Sequence, residues 1–415
     1  MKNFLKTYMS VIILLAAIII GAIVGIVFKE KAAVLSPLGD IFLNLMFVVI
    51  VPLIFLSIST SISRMKQPKR LGKIMITIIA MFVVTSLVAV FVGLAVAYPV
   101  KLVNPEDGET IKASLEEQEE PLTEEDDQTI LERTVSALTV NDFSKLLSKS
   151  NIIAIIVFSI LFGMAMNMAG EKAKPVEDFL NSAYEVIMKL IKIIMYYAPI
   201  GLGCYFAALI GTFGSSIAVG YAKTFVIYTV VAILFYIIVY TIYALIAGGK
   251  RGVVTFWKNI IPATVTALAT CSSAASIPVN TEASKKMGVS DDIAETMIPL
   301  GTSFHKDGSI IGSVFKIMFL VCLFGTSASI WQIILVALIA NLLITAVPIG
   351  GGTISEMMIL TMMGYPVAAL PILTIIATII DPPATVLNVI GDTSSSMLAA
   401  RIVDGKDWMD KSKKK

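Results

Sequence analysis

A chain of 415 residues that is 57% hydrophobic and only 15% charged, with a mean hydropathy of +0.87, is too apolar for a soluble protein. Its net charge of +2 gives no bias toward nucleic acid. Apolar runs recur at about the 20-residue length needed to cross a hydrocarbon core of roughly 30 Å, which implies a polytopic all-α membrane protein. Cys204, Cys271 and Cys322 have no metal-binding spacing and read as packing residues.

In chain order, helices are predicted at 6–28, 37–64, 72–99, 151–169, 180–211 and 221–248. The first run is too long for a signal-peptide core and lacks a small-residue cleavage site, so it is expected to span the membrane. Basic clusters occur at the N-terminus, at RMKQPKRLGK (Arg64 to Lys73), at GGKRG (Gly248 to Gly252) and in the KSKKK tail. Positive loops stay cytoplasmic, so both termini are expected inside the cell membrane. The acidic stretch after Pro99, with EEQEE (Glu116 to Glu120) and EEDD (Glu124 to Asp127), then lies outside as a solvated loop without chemistry.

After Lys250 the pattern changes. An apolar stretch from Val253 to Lys285 is cut by ATCSSAASIP (Ala269 to Pro278), and a second, from about Ile330 to Pro366, by AVPIGGGTIS (Ala346 to Ser355). A Ser/Ala-rich stretch alone usually means close helix packing, and a glycine run alone a plain loop. Two interruptions at matching places, each followed by a polar-punctuated span, instead point to two re-entrant hairpins in an inverted repeat with a site between them. The basic flanks of the first hairpin put its ends inside; the second lacks them and is expected to enter from outside.

Two further words sit inside apolar spans. PLGTSFHKDGS (Pro299 to Ser309) places His305, Lys306 and Asp307 in a row, and intramembrane ionisable residues mark a functional site by default. In IDPPATVLNVIGD (Ile380 to Asp392), Asp381, Thr385, Asn388 and Asp392 fall at spacings of four, three and four, one polar stripe of a helix. Pro382 and Pro383 free backbone carbonyls one turn earlier, near Thr378 and Ile379.

ATCSSAASIP, PLGTSFHKDGS, VPIGGG and NVIGD, with YAPIG (Tyr197 to Gly201), occur in an order and context that resembles the dicarboxylate/amino acid:cation symporters, the family that includes glutamate transporters. The resemblance covers essentially the whole chain and is weakest across the acidic loop. It implies eight transmembrane helices plus two re-entrant helical hairpins, arranged as a scaffold and an elevator-type transport domain in a homotrimer. Residues 1–71 and 151–220 would form the scaffold, 101–150 the acidic extracellular loop, and 72–100 with 221–415 the transport domain. The partners implied are a small-molecule substrate and membrane lipid, with no nucleic acid and no enzymatic activity.

Carried over residue by residue, Asp381 matches the aspartate that holds a substrate α-amino group, and Asn388 the amide that binds its carboxylate. Ser272 and Ser273 match the tip of the first hairpin, and the backbone around Val347 to Gly350 the second. Thr385 and Ser309 complete the implied substrate set. Asp392, with carbonyls of Gly301, His305 and Asn388, matches one sodium site; Asp307, with Thr85 and Ser86, matches another. No resident cofactor is implied, and the coupling ion would be sodium or a proton.

The departures from the family pattern matter more. Acidic-substrate members place an arginine where this chain has Ala384 or Cys271, so a neutral amino acid is expected in place of glutamate or aspartate. The family word Asn-Met-Asp-Gly-Thr reads His305, Lys306, Asp307, Gly308, Ser309 here, and Phe82 replaces a usual tyrosine. One reading is that Lys306 acts as a tethered substitute for sodium, with His305 making coupling proton-linked. The other is that Lys306 pairs an aspartate for structure while sodium still binds through carbonyls. Alternatives to a neutral-amino-acid carrier are a sodium-coupled dicarboxylate or acidic-amino-acid symporter, a proton-coupled or uncoupled carrier, and, more distantly, an anion channel. A hydrolase built on Ser273 and Lys306 lacks a recognisable oxyanion hole. Lys316 and Glu356 are unusual in apolar spans and receive no role.

Overall fold

The computed structural model describes residues 2–63, 71–103, 139–148, 151–213, 215–342 and 352–411. Most of the acidic stretch and the second interruption, with Val347 and Gly350, lie outside these residues. The described residues are predominantly helical, without strands. The N-terminal part comprises α1 (Lys2–Phe28), α2 (Ser36–Ser63), α3 (Leu71–Ala97), the short α4 (Phe143–Leu146), α5 (Ile152–Ala169) and α6 (Lys174–Phe213). These match the predicted boundaries closely, although α6 begins six residues earlier than its predicted start of 180.

The C-terminal half follows. α7 (Ser215–Leu234) runs through a π-helical turn (Phe235–Val239) into α8 (Tyr240–Asn259), which is kinked at Gly248 and Gly249. α9 (Ile261–Thr270) and α10 (Ser273–Lys286) pack together across a two-residue break at Cys271 and Ser272. α11 (Asp291–Phe304) and α12 (Asp307–Leu323) are separated by His305 and Lys306. α13 (Ile330–Leu342) and α14 (Gly352–Met363) pack together, and α15 (Leu370–Val403) and the short α16 (Trp408–Lys411) close the chain.

By length and composition, three stretches among the described residues qualify to cross a membrane, and a pair bent by 52° before Tyr196 makes a fourth. Large apolar side chains such as Ile19, Ile23, Val226, Val230 and Ile237 are exposed. Such extensive outward apolar surface suits lipid and not water.

Two packed groups are evident. α1 and α2 pack on α6, and α5 packs on α2. Small residues let α1 and α6 approach: a methyl group on Gly21 would strike the carbonyl of Gly203, and one on Gly25 would lie 2.8 Å from Ile210 Cβ. The second group surrounds α15, which touches α3, α7, α8 and every helix from α9 to α12, as well as α14. The three polar-punctuated words within the described residues therefore converge on or beside one central helix. An apolar cavity of about 870 Å³ between α2, α4 and α5, lined by Phe55, Phe143 and Phe158 with Asn44 its polar side chain, lies apart from them.

Candidate functional site

The centre of the molecule is built on two helix interruptions facing α15. At the first, Cys271 adopts a left-handed conformation (φ 46°) that ends α9, and Ser272 then caps α10 by accepting from Ala275 N at 3.2 Å. The Ser272 hydroxyl is thus engaged as a helix cap, and Ser273 beside it is half-buried as the first residue of α10. At the second interruption, His305 (φ −119°, ψ 113°) and Lys306 (φ −143°, ψ 67°) are extended before α12 begins at Asp307.

Extended backbone sends successive side chains to opposite sides. His305 turns inward and is fully buried, whereas Lys306 is half-buried. The imidazole lies between two carboxylates: Nδ1 is 2.9 Å from Asp392 Oδ1 and Nε2 is 3.0 Å from Asp307 Oδ1. Nε2 is also 2.7 Å from Thr85 Oγ1, and the Phe82 ring stacks on the imidazole with centroids 4.6 Å apart and planes 8° from parallel. Glycines make room for this cluster. A methyl group on Gly391 would lie 2.8 Å from Asp307 Oδ2 and 3.1 Å from His305 Cε1, and one on Gly301 would strike Asp392 Oδ1.

The sequence-derived stripe on α15 divides in two. Asp392 belongs to the imidazole cluster. One turn earlier, Asn388 and Ser309 form a reciprocal pair: Ser309 N donates to Asn388 Oδ1 at 3.1 Å, and Asn388 Nδ2 donates to Ser309 Oγ at 3.0 Å. Further along, Thr385 Oγ1 donates to Asp381 Oδ1 at 3.4 Å, and Asp381 is half-buried. Gly301 O is occupied by His305 N at 2.8 Å as the last bond of α11. Thr85, Ser86, His305, Asp307, Asn388 and Asp392 are all buried. Val347 and Gly350 lie outside the described residues.

Several anchoring residues escaped the sequence reading. Tyr240 Oη donates to Leu387 O at 2.6 Å and lies 3.2 Å from Asp307 Oδ2, and Tyr228 Oη donates to Gly308 O at 2.7 Å. The π-helical turn immediately before Tyr240 shifts the helical phase there, a feature frequent at functional sites and invisible to a 3.6-residue pattern. Asn280 Nδ2 donates to Val389 O at 2.8 Å, and its carbonyl oxygen accepts from Thr393 Oγ1, so α10 is fastened to α15. The only signal for Asn280 was an amide in an otherwise small-residue helix.

A cation-binding role was expected for two of these groupings, and the donor set bears on it. Sodium seeks oxygens. Here each of the two carboxylates faces a ring nitrogen of His305, while Ser86 Oγ, Asp307 Oδ1 and Asp392 Oδ2 are buried without a hydrogen-bond partner among the described residues. Lys306, the expected tethered cation, is within electrostatic reach of Asp392, but His305 occupies the position between the carboxylates.

The chain matches the model of the sodium:dicarboxylate symporter family over residues 10–402. It is 26% identical to the proton/sodium-glutamate symport protein of Bacillus subtilis (strain 168), over 92% of this chain and 90% of that protein. It is 29% identical to the C4-dicarboxylate transport protein of Agrobacterium fabrum, over 93% of this chain and 86% of that protein. Both relatives are named as transport proteins. With almost the entire chain matched and its polar words gathered on α15, this protein is a member of the sodium:dicarboxylate symporter family.

Proposed function

We propose that this protein is a secondary carrier for a small neutral amino acid, working in the cell membrane with both termini cytoplasmic. The carrying observation is Asp381: a half-buried carboxylate that accepts a long bond from Thr385, with Ala384 and Cys271 where acidic-substrate members place a guanidinium. A partly desolvated carboxylate is a strong partner for a substrate ammonium. The Asn388 amide and the backbone of the two hairpin tips would take the α-carboxylate.

The arginines among the described residues support a neutral side chain. Arg251 pairs with Asp410, and Arg401 donates to Lys406 O, both far along the chain from Asp381 and near the C-terminus. Of the lysines in the central helices, Lys316 is bound to Glu356 and Lys306 lies beside Asp392. A substrate with a second carboxylate would find no free bidentate donor in this set.

Movement would follow the two packed groups: the helices around α15 travel as one body against α1, α2, α5 and α6, with α9–α10 and α13–α14 as re-entrant hairpins and the second as the outer gate. Three such protomers would assemble as a homotrimer. Supporting this reading, α15 is bound to its neighbours through side-chain bonds such as Asn280 to Val389 O and Tyr240 to Leu387 O, whereas Phe206 of α6 meets Tyr221 of α7 by ring packing.

A binding screen on purified protein checks the substrate class. Small neutral amino acids are expected to bind, and glutamate and C4-dicarboxylates are not. Preferential binding of a dicarboxylate lacking an amino group would replace this reading with the substrate class in the names of the relatives.

A further inference from the structure

We propose that His305 is a built-in cation, its imidazolium holding the place between Asp307 and Asp392 that a coupling sodium ion would otherwise take, so that the chain binds no sodium there. The proposal deepens the carrier reading by naming the charge that replaces its coupling ion.

With Asp392 ionised, the hydrogen-bond geometry around the ring favours the doubly protonated form. Thr85 Oγ1 spends its one hydrogen on Met81 O at 2.8 Å, so toward His305 Nε2 at 2.7 Å it can only accept. Nε2 must therefore carry a hydrogen. Nδ1 faces Asp392 Oδ1 at 2.9 Å, and an ionised carboxylate is an acceptor only, so Nδ1 carries one as well. A ring that donates from both nitrogens is the imidazolium. Its positive face lies against the Phe82 ring, a favourable cation–π arrangement, and a tyrosine there would add a hydroxyl at the ring edge.

Charge and space agree. Asp307 and Asp392 supply two negative charges, which His305 between them and Lys306 near Asp392 balance. Asp307 Oδ1 accepts no hydrogen bond yet lies 3.0 Å from Nε2, so a sodium ion placed on it would face a like charge at contact distance. Gly391 and Gly301 leave just the space that the imidazole and the two carboxylates fill. The tethered charge also costs no ordering of a free ion, a form of preorganisation.

The test reads ion binding through the stability of the purified full chain, not through uptake, so the substrate assignment can fail without it. Melting temperatures are compared in sodium, potassium and choline chloride at equal ionic strength. The wild-type chain is expected to melt at one temperature in all three. His305→Asn and His305→Gln, which exchange the cation for an amide, should melt lower in choline and gain a saturating, sodium-specific rise of at least about 2 °C. Saturable sodium-specific stabilisation of the wild-type chain would overturn the proposal, as would folded variants indifferent to sodium. Should neither variant fold in any salt, equilibrium dialysis of radioactive sodium against the wild-type chain decides: bound sodium overturns the proposal, and none supports it.

Discussion

Lys316 Nζ lies 3.0 Å from Glu356 Oε1 with both side chains buried, and Glu356 Oε2 accepts from Thr374 Oγ1 at 2.8 Å. This network ties α12, α14 and α15 together at one point. The pair fastens α14 to the central helix and also lies within electrostatic reach of Asp381.

Removing one partner strands a buried charge. Lys316→Met alone is expected to cost about 3–5 kcal/mol, whereas the paired Lys316→Met, Glu356→Met variant should return to within about 1 kcal/mol of the parent. In the double variant the Thr374 hydroxyl, freed from Glu356, has Leu370 O as its alternative acceptor at 3.0 Å. Thermal melts in detergent check this, and equal losses in the single and double variants would show that the charges are needed together for more than packing.

Asp381→Ala is expected to weaken amino-acid binding by about 100-fold or more, because the substrate ammonium loses its carboxylate. Stability should change little, since the side chain is half-buried and makes one long bond with Thr385. Isothermal titration and a melt on the same sample separate the two effects. Retained affinity would mean a ligand without an ammonium group.

Asn280→Ala removes the side-chain donor to the Val389 carbonyl, which keeps its place in the helical ladder, and leaves the Thr393 hydroxyl without its acceptor. The expected cost is about 1–3 kcal/mol, concentrated where α10 docks on α15. Hydrogen exchange should quicken across 273–286 and 388–396 and stay unchanged in α1 and α2.

Most helix boundaries were legible because apolar runs bounded by charge or glycine are a strong signal, and the broken stretches were legible because polar words in lipid demand a reason. The breaks at Cys271–Ser272 and His305–Lys306 fall inside the words that the sequence singled out. Which of His305 and Lys306 faces the carboxylates was not legible. A residue count assumes a helix or a strand, and the answer depended on two extended residues between helices, where one places its side chain inward and the next away. Tyr228, Tyr240 and Asn280 were missed for a related reason: each acts through a carbonyl on a helix far along the chain, and nothing local marks that partner.

Counterflow in proteoliposomes tests the carrier most directly. Vesicles loaded with an unlabelled small neutral amino acid, in choline medium free of sodium, are expected to accumulate the labelled amino acid saturably, with Asp381→Ala vesicles at background. Flux that requires a preload of C4-dicarboxylate, or ion conductance without any exchange, would contradict it.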